Sequence, residues 1–395
     1  MSKIKVTLIV VFNTLVLLGT VELYFRWNPG QSRPIEALQK EITSFDAPYL
    51  RGIDSSRFVG LAPRLELIRS PLDTSLRYED GYTYLHKDVN GQGYYAPSPN
   101  RVYKSVERTA DGKLVYDIEY QIDEFSRRFV HSSDPKASYA LALLGCSFVY
   151  GEGVDNSESL PFYLHQYVPQ ANVYNLGFHG NSIANFLYQV QEIKDHPFYK
   201  DIVGKKRIAI YVFQDFHLDR FFGTTRLFKQ GWGYKLPWFD WSAEKRQFVF
   251  MGRFKERYSL FHRALTFFSK TATAQALRSD FPLLKKQSTD EYAQAILEVR
   301  RLLQEKKGFD DLLVVASPFN YDPLSEKVVH SLKQNGVTVF DYSKVSIIEL
   351  LKGNQSLAYD GHPSGYGNDL LAQLIARDWR RWTIENPATV GQNDR

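Results

Sequence analysis

The sequence contains a single cysteine, Cys146, among 395 residues. An intrachain disulfide is therefore excluded, and a metal site built on cysteines is not expected. The net charge of +5 is spread along the chain. It comes with no Lys/Arg block and no recognition motif, so a nucleic-acid partner is not expected either. Hydrophobic and charged contents of 44% and 24% are ordinary for a globular protein of one or two domains.

One long apolar run is present, close to the first residue. Residues 6 to 25 span about 30 Å as a helix, enough to cross the bilayer core. We predict that residues 1–27 form an uncleaved signal anchor, a transmembrane helix; a cleaved signal peptide is the alternative. Lys3 and Lys5 precede the run, so its N-terminus is expected in the cytoplasm. The rest of a single-pass membrane protein would then be periplasmic or at the cell surface.

Residues 28–137 are rich in Pro, Gly and Tyr and are predicted to form a β-rich accessory region. From Val115 to Ile122, apolar and polar side chains alternate, as in a half-exposed strand. Asp111-Gly112 is a hairpin-turn signal just before this strand. The partner strand is expected near Arg101–Val106. The alternative is that this region has a structural role only.

Residues 138–385 alternate between apolar runs and amphipathic segments, which predicts an α/β domain with a five-stranded parallel sheet and right-handed crossovers. The predicted strands are Tyr139–Leu144, Val173–Leu176, Arg207–Phe213, Leu312–Ala316 and Val337–Phe340. Five helices are predicted. The first follows Ser157, and the third begins at a Ser288/Glu291 capping box. The other three cover Ile183–Ile193, Leu324–Gln334 and Asn368–Trp382. Residues 386–395 are polar and are predicted to be a flexible tail.

Residues 221–287 interrupt this alternation with aromatic and basic sequence. We interpret them as an insertion with a helical segment around Tyr258–Lys270, overhanging the carboxyl edge of the sheet. The default interpretation is surface helices that pack on the core. The alternative is a role in substrate selection or membrane contact.

A serine follows the first predicted strand of the domain at a sharp break. Tyr139–Leu144 has no polar face, as expected of a strand buried on both sides. Gly145 allows a tight turn, and Ser147 then lies at the carboxyl edge of the sheet, where open α/β sheets bind ligands. This position favours a nucleophile. The alternative is an ordinary helix N-cap.

A candidate base lies far away in the sequence, at Asp360-Gly361-His362. An aspartate two residues before a histidine can orient the imidazole and leave its Nε2 free to accept a proton from a serine. A lone histidine, by contrast, is usually structural. An acyl-transfer site also needs donors for the oxyanion. The Ser147 N–H, the Gly177 N–H and the Gln214 side chain all follow parallel strands and can converge on one crevice.

These motifs resemble the SGNH (GDSL-type) hydrolase superfamily in content and order. Leu144-Gly145-Cys146-Ser147-Phe148 is similar to its first block, Asn175-Leu176-Gly177 to its second, and Asp360-Gly361-His362-Pro363 to its last. The likeness covers residues 138–220 and 288–385. It implies a flavodoxin-like three-layer α/β/α domain with Ser147 as nucleophile, His362 as base, Asp360 as its orienter and Gly177 in the oxyanion hole.

The sequence departs from the family pattern at three places. Cys146 replaces the usual aspartate, and the Asp–His spacing is two rather than three. Gln214-Asp215 replaces the usual third block, so Gln214, or alternatively Asn181, would supply the missing amide. Further residues expected to line the site are Asp215 and His217. Cys146 is a rival nucleophile. No cofactor is expected. A metal site at His179 and His217 is not expected, because the sequence offers no third ligand for it.

Three functions follow as hypotheses. The first is a serine esterase that cleaves an O-acyl ester, for instance by deacetylating a carbohydrate. The second is an O-acyltransferase that modifies an envelope or exported polysaccharide, because the predicted anchor holds the site near a membrane acyl donor. The third is an inactive fold that binds a glycan or a protein partner, which the altered third block favours.

Overall fold

The computed structural model describes residues 84–87, 93–108, 114–229, 233–257, 267, 282, 284, 286–319, 323–345 and 361–387. Several predictions fall outside these ranges: the membrane helix at 1–27, the Asp111-Gly112 turn, most of the helical segment at Tyr258–Lys270, Asp360, and the tail beyond 387. Within the described ranges, no helix combines the length and the apolar character that a membrane crossing requires.

The described residues form eleven strands and nine α-helices, together with three short 3₁₀ turns. In chain order they are β1 (Tyr84–Lys87), β2 (Gly93–Ala96), β3 (Arg101–Arg108), β4 (Leu114–Ile122), β5 (Tyr139–Leu144), α1 (Ser147–Tyr150), α2 (Leu160–Tyr167), β6 (Ala171–Asn175), α3 (Ile183–Glu192), β7 (Lys206–Phe213), α4 (Phe216–Phe222), α5 (Thr225–Lys229), β8 (Pro237–Ser242), β9 (Gln247–Arg253), α6 (Phe254–Arg257), α7 (Lys286–Lys307), β10 (Asp311–Ala316), α8 (Pro323–Gln334), β11 (Val339–Asp341) and α9 (Gly365–Glu385).

The central sheet has five parallel strands in the order β6-β5-β7-β10-β11. Numbered along the chain this order is 2-1-3-4-5, the flavodoxin-like arrangement. The predicted α/β fold with a five-stranded parallel sheet is thus confirmed, and each predicted strand lies within two residues of the observed one. The strand order reverses between β5 and β7, which creates a crevice at the carboxyl ends of these two strands.

Helices cover both faces of this sheet and give the three layers. Alternate residues of β5 point to opposite faces, as strand geometry requires: Ala140 and Ala142 pack into one core, and Leu141 and Leu143 into the other. The first core is closed by α3, α7 and α8. The second is closed by α2 and α9. Burial on both faces explains why these strands read as continuous apolar runs.

The accessory hairpin β3–β4 is antiparallel, with Arg101 opposite Ile122. Both strands lie where the sequence alternation predicts them. The buried side chains of β4, among them Tyr120 and Ile122, pack against Tyr150 and Phe178 of the α/β domain. The backbone of Arg128 bridges Ile122 to Asn175 at the end of β6, so the hairpin is joined directly to the central sheet.

The insertion differs from its prediction. Its described part includes an antiparallel hairpin, β8–β9, that the sequence reading missed. Phe239 and Phe248 of this hairpin are buried in the same core as α3, so this part of the insertion packs onto the domain. The predicted capping box was also wrong, because α7 already begins at Lys286 and Ser288 therefore lies inside the first turn.

Candidate active site

The turn from β5 into α1 sets the position of Ser147. Gly145 packs so closely on Val149 that an added Cβ would overlap with the valine Cγ2 and lie 3.0 Å from its Cβ. A residue without a side chain is therefore required where the strand turns into the helix. Ser147 is the first residue of α1 and lies at the edge where the strand order reverses.

Ser147 and His362 are in hydrogen-bond contact. The Ser147 Oγ lies 2.8 Å from His362 Nε2, the distance that proton transfer between them requires. His362 precedes α9, whose N-terminus is fixed by Ser364, since its Oγ accepts from the Gly367 N–H at 3.2 Å. Ser147 is only 6% exposed. The predicted orienter, Asp360, lies outside the described residues.

Glu152 is a site residue that the sequence reading missed. Its Oε2 lies 3.2 Å from His362 Nε2 and 2.7 Å from His179 Nδ1. Burial alone would raise the pKa of this carboxyl, but the charges of His179 and His362 and their hydrogen bonds hold that pKa well below its usual range. The only signal in the sequence is an acidic residue between Gly151 and Gly153, shortly after Ser147.

The loop that carries Glu152 is held by the accessory hairpin. Arg128 donates from Nη1 to the Tyr150 carbonyl at 2.9 Å and from Nη2 to the Val154 carbonyl at 2.7 Å. It also donates from Nε to the Asn156 side chain at 2.7 Å. The Tyr120 hydroxyl accepts from the Gly153 N–H at 3.0 Å. The hairpin thus fixes the loop on both sides of Glu152.

The three predicted oxyanion donors differ in their surroundings. The Ser147 N–H lies in the first turn of a helix, where amides have no intrahelical acceptor. The Gly177 N–H donates to Asn175 Oδ1 at 3.0 Å, so it reaches an oxyanion only after this bond is released. Gln214 follows β7 and is buried.

The remaining predicted residues lie as follows. Asn181 is buried, and its carbonyl accepts from Arg220 at 2.9 Å. Asp215 caps α4 by accepting from the Phe216 N–H at 2.6 Å. His217 is fully buried, and its Nδ1 lies 2.8 Å from the Tyr211 hydroxyl. His217 was expected to line the site; as an early residue of α4 it instead turns into the core.

Cys146 packs beneath the turn. Its side chain is buried, with 1% exposed. Its neighbour Ser147, not Cys146, contacts His362. The geometry therefore favours the serine over the rival nucleophile.

Aromatic side chains surround the pair. The Phe148 ring lies 5.3 Å from the His362 ring, 5.6 Å from Phe216 and 6.0 Å from Phe319, measured between centroids. All three phenylalanines are half-buried. The reacting groups therefore have apolar neighbours next to Ser147.

Within the ranges that the structure covers, no group of three or more His, Cys, Asp or Glu side chains is arranged to hold a metal ion. The fold and the site together define an α/β protein with a hydrogen-bonded serine and histidine at the crevice of its sheet. Serine hydrolases on several unrelated folds use this pair.

Comparison with solved structures finds proteins of the kind that the motifs resemble. A lipolytic protein of the G-D-S-L family from Veillonella parvula DSM 2008 is 12% identical, with a TM-score of 0.34 over 62% of this chain and 99% of that chain. A lipase/acylhydrolase from Enterococcus faecalis is 11% identical, with a TM-score of 0.32 over 62% and 96%. An acetyl xylan esterase from the rumen bacterium Butyrivibrio proteoclasticus is 9% identical, with a TM-score of 0.34 over 74% and 73%.

No family model matches the chain, and no curated protein matches it significantly. Likeness at these identities and TM-scores carries no argument about activity or substrate. Both depend on the side chains of the site itself.

Proposed function

We propose that this chain is a serine esterase that cleaves an O-acyl ester through an acyl-enzyme intermediate. The observation that carries the proposal is the 2.8 Å contact between Ser147 Oγ and His362 Nε2 at the crevice between β5 and β7. A serine hydroxyl becomes an effective nucleophile only beside such a base. The third hypothesis, an inactive binding fold, gives no reason for this contact.

The chemistry proceeds in two halves. Ser147 Oγ attacks the acyl carbon while its proton passes to His362 Nε2, and the oxyanion is held by the Ser147 N–H with Gly177 or Gln214. The ester C–O bond then breaks as Nε2 returns the proton to the leaving alcohol. A water repeats the sequence and releases the carboxylic acid. Asp360 is proposed to orient the imidazole.

The proposed substrate is an O-acyl group on a carbohydrate. Phe148, Phe216 and Phe319 are half-buried beside the serine and provide an apolar surface for the acyl group or for one face of a sugar ring. Asp215, which is half-buried at the same edge, is proposed to bind a sugar hydroxyl.

A second candidate is transfer of the acyl group to a polysaccharide hydroxyl instead of water. The observation that favours it is the apolar segment at residues 6–25, which would anchor the site near a membrane acyl donor. Both candidates share the acyl-enzyme. They differ only in which hydroxyl enters the second half of the reaction.

The test of the nucleophile is covalent labelling of the full chain, in detergent, with a fluorophosphonate probe. Ser147→Ala should abolish labelling and lower ester hydrolysis by a factor of about 10⁴ or more, because the attacking oxygen is lost. Cys146→Ala is the matched control and should still be labelled. Labelling that persists in Ser147→Ala would contradict the proposal.

Hydrolysis and transfer are separated by the acceptor. Acetate released from an acetyl ester in buffer alone supports the esterase. Acetyl transfer that appears only when a glycan is added supports the transferase.

A further inference from the structure

We propose that Glu152 is a further residue of the catalytic site, whose carboxylate stabilises the positive charge that His362 acquires when it takes the serine proton. This inference rests on the proposed function, since it assigns a part in the same proton transfer. Neither the Ser–His contact nor the predicted Asp360 accounts for a second carboxylate at the imidazole.

The distances place Glu152 at the nitrogen that reacts. His362 Nε2 is 2.8 Å from Ser147 Oγ and 3.2 Å from Glu152 Oε2. A neutral Nε2 presents a lone pair, which a carboxylate oxygen repels. Once Nε2 carries a proton the same contact becomes attractive, because the imidazolium can donate. Glu152 therefore favours the charged state of His362, the state in which catalysis needs stabilisation.

The position of Glu152 is built into the fold. Its side chain is 11% exposed, and the Arg128 and Tyr120 hydrogen bonds fix the loop on both sides of it. Gly151 and Gly153 both have left-handed φ values, +85° and +79°, which residues with side chains rarely adopt. The loop therefore holds the carboxylate at the imidazole in one conformation.

His179 sets how strongly Glu152 acts on His362. Both imidazoles approach the same oxygen, with His179 Nδ1 at 2.7 Å and His362 Nε2 at 3.2 Å. A hydrogen bond from His179 withdraws charge from Oε2, so removing it should strengthen the contact with His362. Loss of the Glu152 charge and loss of His179 are therefore expected to shift the pKa of His362 in opposite directions.

The charged and titratable groups around this cluster come from four parts of the chain. His362 faces Ser147, Glu152 and the uncharged Phe148 ring. Glu152 faces His179 and His362, with the Tyr120 phenol and the Arg128 guanidinium behind its loop. Glu152, whose pKa is held well below its usual range, the Tyr120 phenol, whose pKa is raised by burial, and the Arg128 guanidinium all keep their charge states between about pH 5 and 8.

The experiment measures the pKa of His362 directly in the full chain in detergent, by NMR with histidine labelled at Cε1. The His362 signal is assigned by its loss in His362→Gln. Glu152→Gln keeps the size of the side chain but removes the charge, and should lower the pKa of His362 by about one to three units. His179→Gln should raise it. The double variant should behave as Glu152→Gln alone, because His179 acts through Glu152.

Kinetics provides the second readout. In Glu152→Gln, kcat/KM at its plateau should fall by about 10- to 100-fold, the usual loss for one hydrogen bond to a charged group. The acid limb of its pH profile should move to lower pH, which a merely structural role would not cause. Glu298→Gln is the control: it removes a carboxylate paired with Arg301 on α7 and should change neither readout.

The two proposals fail in different ways. A wild-type chain that neither labels with fluorophosphonate nor hydrolyses esters overturns the proposed function. An unchanged or raised pKa of His362 in Glu152→Gln overturns the assignment of Glu152, whatever the labelling shows. If the pKa falls but both the acid limb and the plateau rate stay unchanged, Glu152 contacts the imidazole without serving the reaction, and the assignment also fails.

Discussion

At the scale of single residues, the candidate site depends on close backbone packing around Ser147. Gly145 and Gly177 both approach Val149: a Cβ on Gly145 would overlap with its Cγ2, and one on Gly177 would lie 2.7 Å from its Cβ. Val149 is fully buried and cannot move aside. The valine therefore fixes both the turn before the nucleophile and the strand end that carries a predicted oxyanion donor.

Gly145→Ala should reduce the free energy of unfolding by about 1–3 kcal/mol, the usual cost of overpacking a dense core. Chemical denaturation measures this loss. The control is the double variant with Val149→Ala, which removes the methyl group that the new Cβ meets. The double variant should lose about 0.5–3 kcal/mol less than the sum of the single losses. Strict additivity would show that the two residues do not interact.

At the scale of elements, the accessory hairpin supports the active-site loop. Arg128 follows β4, is almost fully buried and donates to carbonyls of the loop after α1. Its guanidinium also lies over the Tyr120 and Tyr150 rings, 4.5 and 5.4 Å from their centroids. Arg128, just after the hairpin, and Tyr120, within it, therefore both contact the loop that carries Glu152.

Arg128→Met should destabilise the chain by about 3 kcal/mol or more, because the Tyr150, Gly151 and Val154 carbonyls each lose a charged donor and a hydrogen bond to a charged group is worth about 1.5–3 kcal/mol. Ester hydrolysis should also fall, measured well below the unfolding temperature, since the loop that carries Glu152 is released. Arg127→Met is the matched control. Arg127 is equally buried but bonds Asp123 and the Lys200 carbonyl, away from the site.

In the control variant, stability should fall while the rate of the folded fraction stays the same. Equal losses of rate in the two variants would contradict a specific role of the hairpin at the site.

At the scale of the whole molecule, folding stability should depend on two histidines, the half-buried His131 and the fully buried His217. His131 accepts from the Val173 N–H at Nε2, at 2.9 Å, and stacks on His165 with ring centroids 3.6 Å apart. Burial, together with repulsion by His165, lowers the pKa of His131. Burial also lowers the pKa of His217 well below its usual range, and nearby Arg220 adds to this effect. Both histidines therefore bind a proton less readily in the folded chain than in the unfolded chain.

The direction in which stability changes with pH follows from proton uptake. Below about pH 6.5 the unfolded chain protonates these histidines more fully than the folded chain does, so stability is lost as the pH falls. The free energy of unfolding, measured by denaturation between about pH 7.5 and 5.5, should therefore decrease toward acid. His131→Gln keeps an acceptor for the Val173 N–H but does not titrate. Its stability should fall less steeply, and an equal slope would contradict the role of His131.

Much of the fold could be predicted from the sequence. The buried strands stand out because both of their faces are covered by helices, which makes them continuous apolar runs such as Tyr139–Leu144. The β8–β9 hairpin was missed because its alternation is obscured by aromatic residues on both faces, including Trp238 and Trp241. Its burial against α3 is a long-range contact that no local pattern records.

The alternation of strands and helices, the glycine turn before Ser147, and the serine and histidine of the candidate site can all be recognised in the amino-acid sequence. These features are local, since they depend on periodicity and on backbone freedom at single positions. The contacts between these side chains come from the folded arrangement of the layers. Strand order brings Ser147 to His362, and Arg128 and Tyr120 hold Glu152 at the same imidazole. The Ser147–His362 pair was predicted because both residues lie in motifs that resemble one family, whereas the contacts of Glu152 depend on how the layers pack and leave no such signal in the sequence.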